Sequence, residues 1–205
     1  MQIAFLGDSL TEGWPGAAYF PLLRTRLPQH ELLNLGRAGD TVSDLLRRMM
    51  HGALDPVALA FILVGANDAV MSAWDAAGDE AGSGWSWAER LERIRSDYER
   101  LVEWTAARAA RIVCVRPIVL EANGSVWQVH ADELGDVIAV IAGRKGARVL
   151  DLHPAFSAAG DWGGGPFTTD GVHFTDAGAE VVAASFAAMI EEIDRGEVAA
   201  TDTGG

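Results

Sequence analysis

A single cysteine, Cys114, stands in the 205 residues of this chain, which excludes an internal disulfide. Its neighbours Ile112, Val113 and Val115 are apolar, so it reads as a core residue rather than a reactive thiol. No apolar stretch approaches the roughly 20 residues that a membrane-spanning helix needs. Positive charge is scarce, with 16 Lys and Arg against 29 Asp and Glu and a formal net charge of −13. A surface of that sign repels nucleic-acid phosphate and anionic lipid, so neither nucleic-acid binding nor membrane insertion is expected. The N-terminus runs directly into an apolar strand without a basic region, a long apolar segment or a cleavage site. It therefore predicts a cytoplasmic chain, with a processed secreted form as the alternative. What is present is the composition of one globular domain, 49% hydrophobic and 22% charged.

The pattern along the chain alternates. Short apolar runs occur at 3–6, 32–35, 57–64, 112–115 and 149–152, and helical periodicity fills the intervals. Thr41 with Asp44 forms a capping box ahead of Val42, Leu45, Leu46 and Met49, and Gly52 stops that helix. Ser86 with Glu89 opens a longer helix whose buried stripe is Leu91, Ile94, Tyr98, Leu101 and Val102. Further helices are expected at 18–27, around Leu134–Ile141 and at 174–193. Run 57–64 has no polar alternation, as suits a central strand buried on both faces of a parallel sheet. Strands alternating with helices predict a doubly wound α/β sandwich, in which ligands sit at the carboxyl ends of the strands. One domain is expected over 1–193 and a flexible tail over 194–205.

The loops after those strands carry the polar chemistry. Gly7-Asp8-Ser9-Leu10 follows the first, Asn34-Leu35-Gly36 with Arg37 to Gly39 the second, and Gly65-Ala66-Asn67-Asp68 the third. Asp170-Gly171-Val172-His173 stands just before the last helix. A serine hydroxyl is a weak nucleophile until a base takes its proton. Of the five histidines, His173 alone has a carboxylate three residues earlier in a glycine-containing turn, a spacing that folds Asp170 back onto the imidazole. The order Ser, Asp, His is one that serine hydrolases use. Donors for a tetrahedral oxyanion are available at the Ser9 and Gly36 N–H groups and the Asn67 side-chain amide.

Four ordered blocks, Gly-Asp-Ser-Leu, Gly36, Gly-Ala-Asn-Asp and Asp-Gly-Val-His, give a sequence that resembles the SGNH or GDSL family of esterases and lipases over residues 2–193. The resemblance implies a flavodoxin-like sandwich of five parallel strands. It also implies Ser9 as nucleophile, His173 as base, Asp170 as its partner, and Ser9, Gly36 and Asn67 as the oxyanion hole, with no metal and no organic cofactor. The expected activity is hydrolysis of a small-molecule ester with a short acyl group or an O-acetyl group. A lysophospholipase, thioesterase or acyltransferase is the enzymatic alternative, and a flavodoxin-like binding module the non-enzymatic one. The glycine that a nucleophile elbow needs two residues after the serine is replaced by Thr11, so Ser9 is expected on an open loop.

Residues around these blocks read as support. Asp8 is expected to brace the Ser9 loop by accepting backbone N–H bonds. Trp14 and Trp74 follow the first and third strands and are candidate walls for a substrate, and Arg37 is a candidate contact for an anionic group. Asp151 and His153, taken with Asp170 and His173, have the residue types of a metal site but lack a His-Glu-x-x-His pattern, so no metal is expected. The segment 75–84 is expected to shape or cover the site.

Overall fold

Alternate residues of the first strand, β1 (Gln2–Gly7), point to opposite faces of a sheet, and both faces are covered. Ile3 and Phe5 enter one core with Leu59, Phe61 and Leu63 of β3 (Leu59–Leu63). Ala4 and Leu6 enter the other with Ala60 and Ile62. Every residue of β3 is buried, which is why its sequence shows no polar alternation. In the computed structural model, which describes residues 1–76, 85–118, 125–160 and 166–202, these strands join β2 (Glu31–Gly36), β4 (Ile112–Val115) and β5 (Arg148–Leu150). The sheet is parallel throughout, with five strands in the order β2-β1-β3-β4-β5. This is the three-layer α/β/α sandwich of flavodoxin-like topology expected from the sequence.

One face is covered by α2 (Tyr19–Arg26) and α8 (Asp176–Asp202), which pack on each other. Phe5 and Phe61 stack at 5.0 Å there, and Phe186 of α8 meets both edge-on. The opposite face is covered by α3 (Val42–His51), α5 (Trp87–Ala106) and α6 (Val126–Lys145). Both anticipated capping boxes form, Thr41 with Asp44 and Ser86 with Glu89. Cys114 is fully buried, and burial pushes its thiol up to about 11, so it stays protonated and inert.

Three short elements depart from the expectation. Ser9 does not sit on an open loop; it is the first residue of a single helical turn, α1 (Ser9–Glu12), which Asp8 caps. One turn is too short to show a helical period. Asn67 lies not on a loop after β3 but in the first turn of α4 (Ala66–Ala76), and α7 (His153–Ala159), which no spacing announced, opens at His153. The last helix runs on through Asp202, past the boundary expected at 193.

Candidate active site

The chain order places β1 and β3 side by side, with β2 on the far side of β1. The sheet therefore reverses direction of build between β1 and β3, and a crevice opens at their carboxyl ends. Ser9 leaves β1 at that edge and Asn67 follows β3. Asp8 fixes the start of α1: its Oδ1 accepts the Leu10 N–H at 3.0 Å, and its backbone carbonyl accepts from Glu12 at 2.9 Å. Complete burial raises the Asp8 carboxyl to about 7, against the pull of the Leu10 N–H, and its Oδ2 has no hydrogen-bond partner. Asp8 thus caps and braces the turn. The Ser9 N–H, one of the donors a helix start leaves over, makes no hydrogen bond within the protein among the described residues.

His173 reaches Ser9 from the far end of the sequence. Its Nε2 lies 3.2 Å from Ser9 Oγ across 164 residues. Its Nδ1 lies 2.6 Å from Asp170 Oδ2. Asp170 Oδ1 accepts the backbone N–H groups of Val172 and His173 at 3.0 and 2.8 Å, so one oxygen holds the turn and the other holds the ring. Burial raises the Asp170 carboxyl, but the imidazole and those two N–H groups outweigh it and hold the carboxyl below its ordinary value. An ionised carboxylate only accepts, so it assigns the proton to Nδ1 and leaves Nε2 as an acceptor facing the serine hydroxyl. The backbone is pinned as well. Thr169 donates to the His173 carbonyl at 2.8 Å, and Ala17, just beyond α1, donates to the Phe174 carbonyl at 2.7 Å.

After β3, Asn67 Nδ2 donates to the Asp40 carbonyl at 3.0 Å, which leaves its second amide hydrogen for another acceptor. Gly36 does not join these donors. Its N–H is spent on Asn34 Oδ1 at 2.9 Å, and a Cβ there would stand 2.1 Å from the Glu12 nitrogen. Gly36 is a close-packing glycine under α1. Three residues on, Gly39 offers a backbone donor that sequence reasoning passed over. Its φ is +82°, it sits in the turn closed by the Asp40 N–H on the Arg37 carbonyl at 3.2 Å, and its own N–H has no partner among the described residues.

Arg37 is exposed, and its backbone N–H donates to the Gly7 carbonyl at 3.1 Å. Trp14 is 70% exposed just after α1, and the Trp74 side chain lies outside the described residues, as does most of segment 75–84. Among the described residues no cluster of His, Cys, Asp or Glu has the arrangement of a metal site, and Asp151 instead receives His153 Nδ1 at 2.8 Å. No helix there is long and apolar enough to cross a membrane.

The model of the GDSL-like lipase/acylhydrolase family matches residues 5–181. The chain belongs to this family. Its membership makes the chain a serine-dependent ester hydrolase. Similar solved structures include LAE5, an alpha/beta hydrolase enzyme from the metagenome of Lake Arreo, 25% identical, TM-score 0.75, with 91% of this chain and 93% of that one covered. Another is Axe2, an acetylxylan esterase from Geobacillus stearothermophilus, 22% identical, TM-score 0.74, covering 90% and 91%. A third, a member of the lipolytic G-D-S-L family from Veillonella parvula, is 16% identical, TM-score 0.71, covering 90% and 95%. No curated protein matches it.

The GDSL-family blocks are linked by residues that no motif names. Arg48 of α3 donates to Asp40 Oδ2 at 2.8 Å and to the Leu35 and Gly7 carbonyls at 2.9 and 3.2 Å, tying the ends of β1 and β2 to the Gly39 turn. Asn34 Nδ2 holds the Thr11 carbonyl at 2.7 Å, and Asp68 Oδ2 caps α3 through the Val42 N–H at 3.0 Å. Burial raises the Asp68 carboxyl to about 7.

Proposed function

We infer that the protein hydrolyses short-acyl or O-acetyl esters of carbohydrates or small molecules through an acyl-serine intermediate on Ser9. The observation that carries this reading is the continuous relay Ser9 Oγ, His173 Nε2, His173 Nδ1 and Asp170 Oδ2, with steps of 3.2 and 2.6 Å. Ser9 Oγ attacks the ester carbonyl while its proton passes to His173 Nε2, and Asp170 stabilises the imidazolium. Negative charge develops on the former carbonyl oxygen, and the N–H groups of Ser9, Gly39 and Asn67 receive it. The C–O bond to the alcohol breaks, and the alcohol leaves with the proton from Nε2. Water then attacks the acyl group with the same proton route reversed, and the acid and free Ser9 are regenerated. The single-turn presentation of Ser9 on the sheet edge favours small, accessible esters, and the likeness to an acetylxylan esterase supports an acetyl group on a sugar.

The test is an acyl-length series of 4-nitrophenyl esters from acetyl to palmitoyl. Turnover is expected to peak at acetyl and fall steeply with length, and Ser9→Ala is expected to abolish it while circular dichroism and Tm stay unchanged. Undiminished turnover by Ser9→Ala overturns the assignment, and a preference for palmitoyl overturns the substrate class.

A further inference from the structure

A cavity of about 360 Å³ lies between α3, α4 and α5, lined in part by Thr41 and Asp68. That size matches one small ring or a short chain. Its wall begins one residue beyond Asn67 and two residues beyond Gly39. Asp68 follows Asn67, and Thr41 follows Asp40, whose carbonyl the Asn67 amide holds at 3.0 Å. The cavity is thus built from the same backbone that presents the reacting carbonyl's partners.

Its far wall has a composition that the bare hydrolysis of an acetyl group does not require. Met71, Ile94 and Trp85 supply apolar surface, and Arg90 and Arg93 bring positive charge. Arg93 lies over the Trp85 ring, 5.6 Å from its centroid, and makes no ion pair with a carboxylate among the described residues. Arg47, Arg48, Arg95 and Arg100 are each paired with a carboxylate. The nearby Asp97 is committed to Ser43 at 2.6 Å and to Arg100 at 3.1 Å. Asp68, the acid in the cavity wall, is raised to about 7 by burial and gives one oxygen to the Val42 N–H, which weakens its opposition to an anion. A guanidinium stacked on an indole keeps its in-plane N–H donors free, and those donors match a carboxylate's two oxygens.

We propose that this cavity is a substrate subsite for a carboxylate-bearing end of the ester, with Trp85 as the platform for its apolar body and Arg93 as the anion-binding group. The proposal rests on the ester-hydrolase reading of Ser9 and adds the class of ester that the site prefers. The positive charge here favours an anionic substrate locally in a chain of net negative charge.

The experiment compares two matched pairs at low salt. One pair is 4-nitrophenyl hydrogen adipate with 4-nitrophenyl hexanoate, which places the charge on the acyl side. The other is 4-acetoxybenzoate with 4-acetoxybenzamide, which places it on the alcohol side. In one of the two pairs the charged member is expected to have the higher kcat/KM, and that pair identifies which side of the ester the cavity takes. Arg93→Gln is expected to lower kcat/KM for the charged member about tenfold, mainly through KM. Arg93→Lys is expected to recover part of the loss, and 4-nitrophenyl acetate turnover is expected to stay within twofold of wild type. Equal kcat/KM within both pairs, or an equal effect of Arg93→Gln on charged and neutral members, overturns the subsite. Failure of wild-type protein to hydrolyse 4-nitrophenyl acetate overturns instead the ester-hydrolase reading on which the subsite rests.

Discussion

Gly36, at the end of β2, and Gly39, three positions on in the following turn, meet opposite constraints. At Gly36 the backbone of α1 crowds the missing side chain, with the Glu12 nitrogen 2.1 Å from where a Cβ would be. At Gly39 the space is open, and φ of +82° is what excludes other residues. The two alanine variants should therefore fail differently. Gly36→Ala is expected to displace α1 and lower Tm. Gly39→Ala, with strain of about 1–2 kcal/mol, is expected to stay folded but shift the turn and lose about tenfold to a hundredfold in kcat. Unchanged kcat in folded Gly39→Ala would remove its N–H from the oxyanion hole. Reading the sequence alone could not separate the pair, because a glycine kept for space and one kept for a positive φ look identical until the backbone is placed.

At the scale of elements, His130 joins three helices. It stacks on Trp87 of α5 at 4.0 Å, hydrogen-bonds Ser72 of α4 at 2.9 Å, and is itself carried by α6. Burial lowers its pKa, against the pull of the Ala69 carbonyl and Glu133. The unfolded chain then binds the proton more readily than the folded one, so the stability that neutral His130 supports is present above the ordinary value near 6.5 and is lost as pH falls below it. The Tm advantage of wild type over His130→Gln is expected to shrink between pH 7.5 and 5.5, as read by thermal melts. A gap that does not change with pH would show that this histidine titrates alike in both states. His130 also illustrates which elements were legible. Both capping boxes and the buried stripe of α5 follow from short-range spacing, and they form as expected. The partners of His130 lie 58 and 43 residues away in the sequence, and α1 and α4 have no spacing signal strong enough to announce them. Likewise Arg48 joins the ends of two strands to a turn, and nothing in its own neighbourhood says so.

Across the whole molecule, the aromatic cluster of Phe5, Tyr19, Phe61 and Phe186 joins β1, β3, α2 and α8 directly beneath the Ser9 turn. Tyr19 extends that support upward, since its hydroxyl donates to Thr11 Oγ1 at 3.3 Å. Truncating Phe186 to alanine removes the central ring of the cluster. It is expected to cost about 3–5 kcal/mol, which for a chain of this length lowers Tm by about 6–20 °C. A loss below 1 kcal/mol would mean that the neighbouring rings close the gap. The fold class was legible because five apolar runs and their intervening helices repeat one pattern. The candidate site was legible in outline because its polar blocks follow β1, β2 and β3 or precede the last helix, and each carries a short motif.

The bond between Ser9 and His173 has a consequence in time. Ribosomes make the chain from its N-terminus, so the nucleophile and its turn emerge early, whereas the base and its carboxylate partner emerge only after 164 further residues. Throughout most of synthesis the nascent chain carries a serine with no group to take its proton. Assembly of the Ser9–His173–Asp170 relay therefore waits until the segment that carries Asp170 and His173 has been made.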